Sequence, residues 1–95
     1  MKNGLIINEN GTRYWYQNGL RHREDGPAIE YTNGERRWYL NGFLHREDGP
    51  AIEYTNGDRY WYLNDKSYSF DIYLNKLYIK DCAKKTLLML KWSSR

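Results

Sequence analysis

The sequence predicts a mainly β protein, an antiparallel meander of three 23-residue β-hairpin repeats that form a single-layer twisted sheet with a C-terminal α-helical cap of one or two helices. A thirteen-residue segment, His22-Arg-Glu-Asp-Gly-Pro-Ala-Ile-Glu-Tyr-Thr-Asn-Gly34, recurs unchanged from His45 to Gly57, an offset of 45 − 22 = 23 residues. Apolar residues after Ser69 then change to a helical spacing. At 95 residues, the repeats (1–66) and the cap (67–95) are expected to form one cooperative domain.

The same 23-residue step relates further positions that are expected to be structural. They are the tryptophans Trp15, Trp38 and Trp61, the isoleucines Ile6, Ile29 and Ile52, and the glycines Gly11, Gly34 and Gly57. Each glycine follows an asparagine between two β-type runs, which predicts a hairpin with a two-residue type I′ turn.

A two-residue turn at Asn33-Gly34 sets a definite register for the second hairpin. It places Ile29 opposite Trp38 and makes Glu30 a cross-strand ion-pair partner of Arg37. Repetition of this pairing predicts an Ile–Trp ladder along one face of the sheet.

A second set of Asn-Gly pairs, Asn18-Gly19 and Asn41-Gly42, is expected to open long loops between the units, with Gly-Pro ahead of each new strand. In these loops His22 and His45 are expected to face Trp15 and Trp38. The repeat is expected to stop at Asn64-Asp65, where glycine is missing.

Two helices are predicted for the cap. Ser69 is a suitable N-cap with Asp71 in the first turn, and Phe70, Tyr73, Leu74 and Leu77 follow at helical spacing. The second helix is predicted from about Asp81 to Trp92, with a packed stripe of Cys82, Ala83, Thr86, Leu87 and Leu90. The cap is expected to cover either the edge of the last hairpin or the tryptophan ladder.

Composition argues against several classes of function. The formal charge of +3 is mild, and acidic residues are mixed among the basic ones, which is weak support for nucleic-acid binding. The single Cys82 and the absence of a long apolar segment favour a cytoplasmic protein that does not enter a membrane. No pattern for catalysis, for a cofactor or for a metal ion is visible, because one histidine and two carboxylates per repeat match no compact metal-ligand spacing. The sequence therefore predicts a protein that is not an enzyme.

The segment that runs from Tyr14-Trp15-Tyr16 through the His-Arg-Glu-Asp-Gly-Pro motif to Gly34 resembles MORN-type repeats, above all the variant repeats in small proteins of bacteriophages and large DNA viruses. The resemblance covers residues 1–66 and implies an elongated sheet of hairpins that works as a non-catalytic interaction surface. It favours a phage-encoded stoichiometric inhibitor of a host protein, such as a host-defence or CRISPR effector, acting in the host cytoplasm.

The residues predicted to bind that partner are the tyrosine face and the acidic loops: Tyr16, Tyr39, Tyr60, Tyr62, Arg37, Glu24, Asp25, Glu47 and Asp48. An alternative is RNA or DNA binding by tyrosines and by Arg13, Arg36, Arg37 and Arg59. A second alternative is a self-assembling scaffold, or a homodimer, formed through the edge strand at Leu5-Ile6-Ile7.

Overall fold

A computed structural model describes residues 2–78 and 81–92. The strands are β1 (Gly4–Ile7), β2 (Arg13–Gln17), β3 (Leu20–Arg21), β4 (Ile29–Glu30), β5 (Arg36–Arg37), β6 (Tyr39–Leu40), β7 (Phe43–Leu44), β8 (Ile52–Glu53), β9 (Arg59–Leu63) and β10 (Lys66–Tyr68). The helices are α1 (Phe70–Tyr78) and α2 (Cys82–Trp92).

The strands form an antiparallel meander, which confirms the predicted fold class. Within the described residues, eight strands make one sheet in the order β1-β2-β4-β5-β8-β9-β10, with β3 pairing with the end of β2. Strands β6 and β7 form a separate two-stranded ribbon. Every pairing in the large sheet is antiparallel, and both helices follow the last strand.

The turns at the tips of the three main hairpins are not the two-residue type I′ turns that the sequence predicts. Tyr31 pairs with Glu35 across a three-residue loop, and only Gly34 in that loop has a positive φ, +97°. The side-chain oxygen of Asn33 accepts the Glu35 N–H at 2.9 Å, which favours an Asx turn over the left-handed conformation that a type I′ turn requires at asparagine. The same asparagine bond occurs in the other two hairpins.

The extra loop residue shifts the register by one, so the predicted Ile–Trp ladder is wrong. Ile29 lies opposite Arg37, while Ile6 and Ile52 lie opposite Tyr14 and Tyr60. Because a shift of one residue exchanges the two faces of a strand, the tryptophans align with a different set of residues. Trp15 and Trp38 instead donate backbone hydrogen bonds to Ala28 and Ala51 of the following unit, each at 2.8 Å.

The predicted ion pair between Glu30 and Arg37 is also absent as a result of this shift. Arg37 binds Glu35 at 2.8 Å, and Glu30 is approached by Arg13 at 3.5 Å and by Arg23 at 3.7 Å.

The second set of Asn-Gly pairs forms the tight turns of the molecule, contrary to the prediction of long loops that begin there. Asn41 and Gly42 both have positive φ values, +51° and +84°, and they connect β6 directly to β7. Asn64 and Asp65 adopt the same conformation, with φ values of +50° and +69°, so the hairpin pattern continues through β10 rather than stopping at this turn. The longer loops are the segments 22–28 and 45–51 that follow.

The helical cap covers the third tryptophan. Trp61 packs with Tyr73 and Leu74 of α1 and with Leu88 of α2, and these four residues are buried together. The Ser69 Oγ accepts the Ile72 N–H at 3.4 Å and an Asp81 carboxylate oxygen accepts the Lys84 N–H at 3.0 Å, so both predicted helix starts are confirmed.

The packed face of α2 differs from the predicted stripe. Cys82, Ala83, Thr86, Leu87 and Leu90 are all exposed, and Leu88 is the buried residue of this helix. The expectation that Cys82 is packed in the core is therefore wrong, because the helix turns a different side toward Trp61. Neither described helix combines the length and the hydropathy that crossing a membrane requires.

Candidate functional site: the groove between the Arg-Glu-Asp loops

Each of the two identical loops is organised around its arginine. In the second loop, Arg46 Nε donates to Asp48 at 2.9 Å and Arg46 Nη1 donates to the Pro50 carbonyl at 3.1 Å. Its guanidinium also binds Glu53 at 3.1 Å and lies 3.8 Å from the centre of the Trp38 ring. These contacts hold the loop against Trp38 and use both the hydrogen-bonding edge and the flat face of the guanidinium.

The first loop repeats this arrangement closely. Arg23 binds Asp25 at 2.9 Å and the Pro27 carbonyl at 3.1 Å, and it lies 3.9 Å from the centre of the Trp15 ring. The hydrogen bond from Arg23 lowers the pKa of Asp25 below its ordinary value, so this carboxylate is charged at neutral pH. Identical residues in the two loops therefore serve a common loop structure.

The histidine of each loop caps the tight turn of the next unit. The Nδ1 atoms of His22 and His45 accept the N–H groups of Asn41 and Asn64 at 2.9 and 3.1 Å. An accepting Nδ1 places the proton of a neutral ring on Nε2, and in His45 that atom lies 2.9 Å from Glu47. The backbone N–H groups of His22 and His45 donate to the carbonyls of Trp15 and Trp38 at 2.9 and 3.1 Å, so each histidine lies across the turn from its tryptophan, as predicted.

The first unit has no preceding histidine, and Asn3 takes that place. The Asn3 side-chain oxygen accepts the Asn18 N–H at 2.8 Å, and the neighbouring Lys2 carbonyl accepts the Gly19 N–H at 2.9 Å. In the next unit the corresponding acceptors are His22 and the Arg21 carbonyl. Asn3 and Lys2 thus supply to this turn the two acceptors that His22 and Arg21 supply to the next one.

The helical cap holds the second loop in place from the other side. Tyr73 donates its hydroxyl to the Arg46 carbonyl and lies 3.0 Å from the Gly49 carbonyl. Tyr78 donates to the Glu47 carbonyl, and Trp92 Nε1 donates to the Asp48 carbonyl at 3.0 Å. Burial raises the pKa of both tyrosines, so each hydroxyl keeps the proton that it donates.

An open groove of about 560 Å³ is lined by residues of both loops. Trp38 and Leu40 lie between the loops, and the cap contributes Tyr78 and Lys84. The loop residues along it are Arg23, Glu24, Asp25, Gly26, His45, Arg46, Glu47 and Asp48.

The groove carries four carboxylates, and one of them is free. Asp25 and Asp48 bind the arginines of their own loops, and Glu47 lies beside His45. Glu24 is exposed, and its side chain makes no hydrogen bond or ion pair with any residue in the described part of the chain. The groove lining therefore combines Trp38 and Leu40 with four carboxylates and three cations, Arg23, Arg46 and Lys84. Both arginines bind carboxylates of their own loops.

The structure brings together only part of the predicted binding set. Glu24, Asp25, Glu47 and Asp48 line one groove. The predicted tyrosine face is not a continuous exposed surface, because Tyr39 is buried. Tyr16, Tyr60, Tyr62 and Arg37 lie outside the groove.

These residues have contacts of their own. Lys2 lies over the Tyr16 ring at 5.1 Å, the Tyr60 ring meets Tyr54 edge-on at 5.6 Å, and the Tyr62 carbonyl accepts the Arg46 N–H at 3.3 Å. Arg37 lies near the rings of Tyr31 and Tyr54, at 5.8 and 6.0 Å.

Sequence reasoning placed Trp38 opposite His45, but it missed the stacking of Arg46 on Trp38 and missed Leu40, Tyr78 and Lys84 as neighbours of the loop carboxylates. A signal for Trp38 was present, since an arginine recurs eight residues after Trp15 and again after Trp38. No local signal identified Tyr78 or Lys84, because their positions depend on how the cap packs.

No family model, curated protein or solved structure matches this chain. Among residues 2–78 and 81–92, no three His, Cys, Asp or Glu side chains lie close enough together to hold a metal ion. The functional assignment accordingly depends on the chemistry of the groove.

Proposed function

We propose that this protein is a non-catalytic binding protein that occupies a basic surface of another protein through the groove between its two Arg-Glu-Asp loops. The observation that carries the proposal is the convergence of Glu24, Asp25, Glu47 and Asp48 on one groove, which Trp38 with its stacked Arg46 also lines. Tryptophan, tyrosine and arginine, all of which line this groove, are the residues that most often anchor protein interfaces.

The loops suit this function because their shape is set before any partner arrives. Arg23 and Arg46 hold both loops by internal hydrogen bonds, and Tyr73, Tyr78 and Trp92 bind the backbone of the second loop. A preformed surface loses little conformational entropy on binding. The carboxylate side chains of Asp25, Glu47 and Asp48 nevertheless remain largely exposed to an incoming cation.

The repeat also sets the distance between equivalent carboxylates of the two loops. Two strands separate equivalent points of successive units, so equivalent loop carboxylates recur about every 10 Å. A lysine- or arginine-rich segment with charges at that separation would bind both loops together. Such segments line the nucleic-acid channels of proteins.

The resemblance to variant repeats of bacteriophage and large DNA virus proteins gives this chemistry a biological setting. A small protein that binds the basic channel of a host-defence effector, such as a CRISPR effector, through exposed loop carboxylates would inhibit it stoichiometrically by excluding nucleic acid. That is the function we assign.

Direct nucleic-acid binding is less well supported, because three of the four arginines predicted for it have partners within the molecule. Arg13 approaches Glu30, Arg37 binds Glu35, and Arg59 donates to the Trp92 carbonyl at 3.0 Å. These side chains would have to leave internal partners before they could bind phosphate.

The proposal is tested by affinity capture from bacterial lysate, with and without nuclease, followed by a binding titration of the captured protein. The variant Glu24→Lys reverses a charge that has no internal partner. Asp71→Lys makes the same change in charge at an exposed position of α1 outside the groove, and serves as the control.

A partner that survives nuclease, loses at least about tenfold in affinity with Glu24→Lys and binds Asp71→Lys normally would support the proposal. Capture of nucleic acid alone, or equal affinity for both variants, would overturn it.

A further inference from the structure

The first strand of the sheet exposes the surface that every later unit buries. In the 23-residue register, Leu5 and Ile6 correspond to Ala28 and Ile29. Ala28 and Ile29 are 0% and 1% exposed, whereas Leu5, Ile6 and Ile7 are 48%, 36% and 57% exposed. The difference arises because β4 pairs with the preceding unit through β2, while β1 is the end of the sheet.

The hydrogen-bonding groups of β1 alternate in direction. Asn8 donates to the Thr12 carbonyl, and in the same antiparallel ladder Gly4 and Ile6 face Tyr16 and Tyr14. The N–H and C=O groups of Leu5 and Ile7 therefore point away from β2. Ala28 is the residue of the next unit that corresponds to Leu5, and its carbonyl accepts the Trp15 N–H at 2.8 Å. The same strand edge therefore forms inter-strand hydrogen bonds inside the array.

We propose that β1 pairs with β1 of a second copy of this chain, in antiparallel orientation, to form a two-fold symmetric dimer with one continuous sheet. The interior strands β2, β5 and β9 have neighbours on both sides, so they cannot receive β1 of another copy. The opposite edge strand, β10, contains Lys66 and Ser67, and an edge lysine disfavours strand addition. The other described strands with an unpaired side, β3, β6 and β7, have only two residues each, so β1 itself is the partner that matches the four residues of β1.

The sequence of β1 is complementary to its own reverse. Pairing the outward groups places Leu5 opposite Ile7 of the other copy twice, with Ile6 meeting its symmetry mate on the two-fold axis. Every central pair is apolar. Lys2 and Glu9 flank the strand at opposite ends, so antiparallel pairing brings the Lys2 of each copy near the Glu9 of the other.

A disulfide at the two-fold axis tests this geometry. Ile6 and its symmetry mate form a non-hydrogen-bonded pair, in which the two Cα atoms lie about 4.5 Å apart, within the range of a disulfide. The Ile6→Cys variant in a Cys82→Ser background should become covalently dimeric under mild oxidation. Phe43→Cys in the same background is the control, because Phe43 is as exposed as Leu5 but lies on β7.

Sedimentation velocity gives an independent readout on the unmodified chain. At micromolar concentration the unmodified chain should sediment as a dimer of twice the 11.5 kDa monomer mass. The Ile7→Lys variant should sediment as a monomer, whereas the Phe43→Lys variant should remain a dimer. Circular dichroism on each variant establishes that the sheet remains folded. A monomeric wild type, equal cross-linking of the Ile6→Cys and Phe43→Cys variants, or a dimer that persists in folded Ile7→Lys would overturn the proposal. None of these outcomes depends on binding in the groove between the Arg-Glu-Asp loops.

Discussion

Arg46 connects three parts of the molecule. Its guanidinium stacks on Trp38, bonds to its own loop at Asp48 and Pro50, and reaches Glu53 at the start of the next hairpin. An arginine placed in this way determines the loop conformation that presents the groove carboxylates. Arg46 therefore has a structural role, although it also lines the candidate site.

Replacing Arg46 with alanine should lower the free energy of unfolding by about 2–3 kcal/mol, because it removes a stacked cation and takes a donor from two partly buried acceptors, the Pro50 carbonyl and the Glu53 carboxylate. Lysine should restore only a minor part of this loss, since an ammonium group cannot form the same planar set of bonds. Urea denaturation of the three proteins measures the difference. Equal stability of Arg46→Ala and the wild type would contradict this role.

His22 acts at the same scale through a single ring atom. Its Nδ1 accepts the Asn41 N–H at 2.9 Å, and Asn3 performs the same task for Asn18 with a side-chain oxygen. We expect His22→Ala to lose about 1 kcal/mol of stability and His22→Asn to retain most of it, because the asparagine oxygen replaces the Nδ1 acceptor. Urea midpoints distinguish these outcomes, and equal losses in the two variants would show that Nδ1 is not the important atom.

At the scale of elements, the same dipeptide forms two different turns. Asn33 bonds to its own loop and keeps a negative φ, whereas Asn41 adopts a positive φ while a histidine of the preceding unit accepts its N–H. Asn64 follows the second pattern, since His45 Nδ1 accepts its N–H at 3.1 Å. Asp65 takes the place of Gly42, and its carboxylate accepts the Leu44 N–H at 2.7 Å, which offsets the unfavourable left-handed conformation of a residue other than glycine. The contacts of each asparagine therefore select the turn.

The orientation of α2 can be tested by comparing two adjacent leucines. Leu88 is 8% exposed and packs against Trp61, whereas Leu87 is 66% exposed. Leu88→Ala should therefore destabilise the protein by about 2–4 kcal/mol, and Leu87→Ala should change it by less than about 0.5 kcal/mol. Thermal and urea unfolding provide the measurement. The reverse order would mean that α2 packs through the stripe predicted from its sequence.

At the scale of the whole molecule, the cap takes the place of a fourth unit. Trp15 and Trp38 are each covered by an arginine, whereas Trp61 contacts Phe70, Tyr73 and Trp92, with ring centres 4.5, 5.1 and 6.0 Å away. The cap also bonds to the second loop through Tyr73. Repeats, loops and helices should therefore unfold together.

Tyr73 makes this cooperativity sensitive to alkaline pH. Burial raises its folded-state pKa above the unfolded value of about 10, so the folded protein keeps a proton that the unfolded chain releases. The stabilisation is complete below pH 10 and is lost as the pH rises above it. Urea unfolding between pH 8 and 11 should show this decline, and Tyr73→Phe should be less stable at pH 8 but decline less steeply. Parallel curves would contradict the assignment.

Periodic features of the chain were predictable because they repeat or lie close together in sequence. The 23-residue period determined the antiparallel meander, and the spacing after Ser69 determined both helices. The acidic residues of the candidate site were also identified, because the same motif occurs in two loops. Local patterns of this kind depend on backbone geometry that neighbouring residues share.

The tertiary structure decided the rest, because those features depend on contacts between distant residues. One additional residue in the loop around Asn33 moved Ile29 from Trp38 to Arg37, and the packing of the cap on Trp61 selected Leu88 over Leu87. Side chains alternate between the two faces of a strand, and the apolar residues of an amphipathic helix can form more than one stripe. The local sequence therefore leaves open both the register of the hairpin and the buried side of α2. Burial of the third tryptophan and hydrogen bonding between units resolve them.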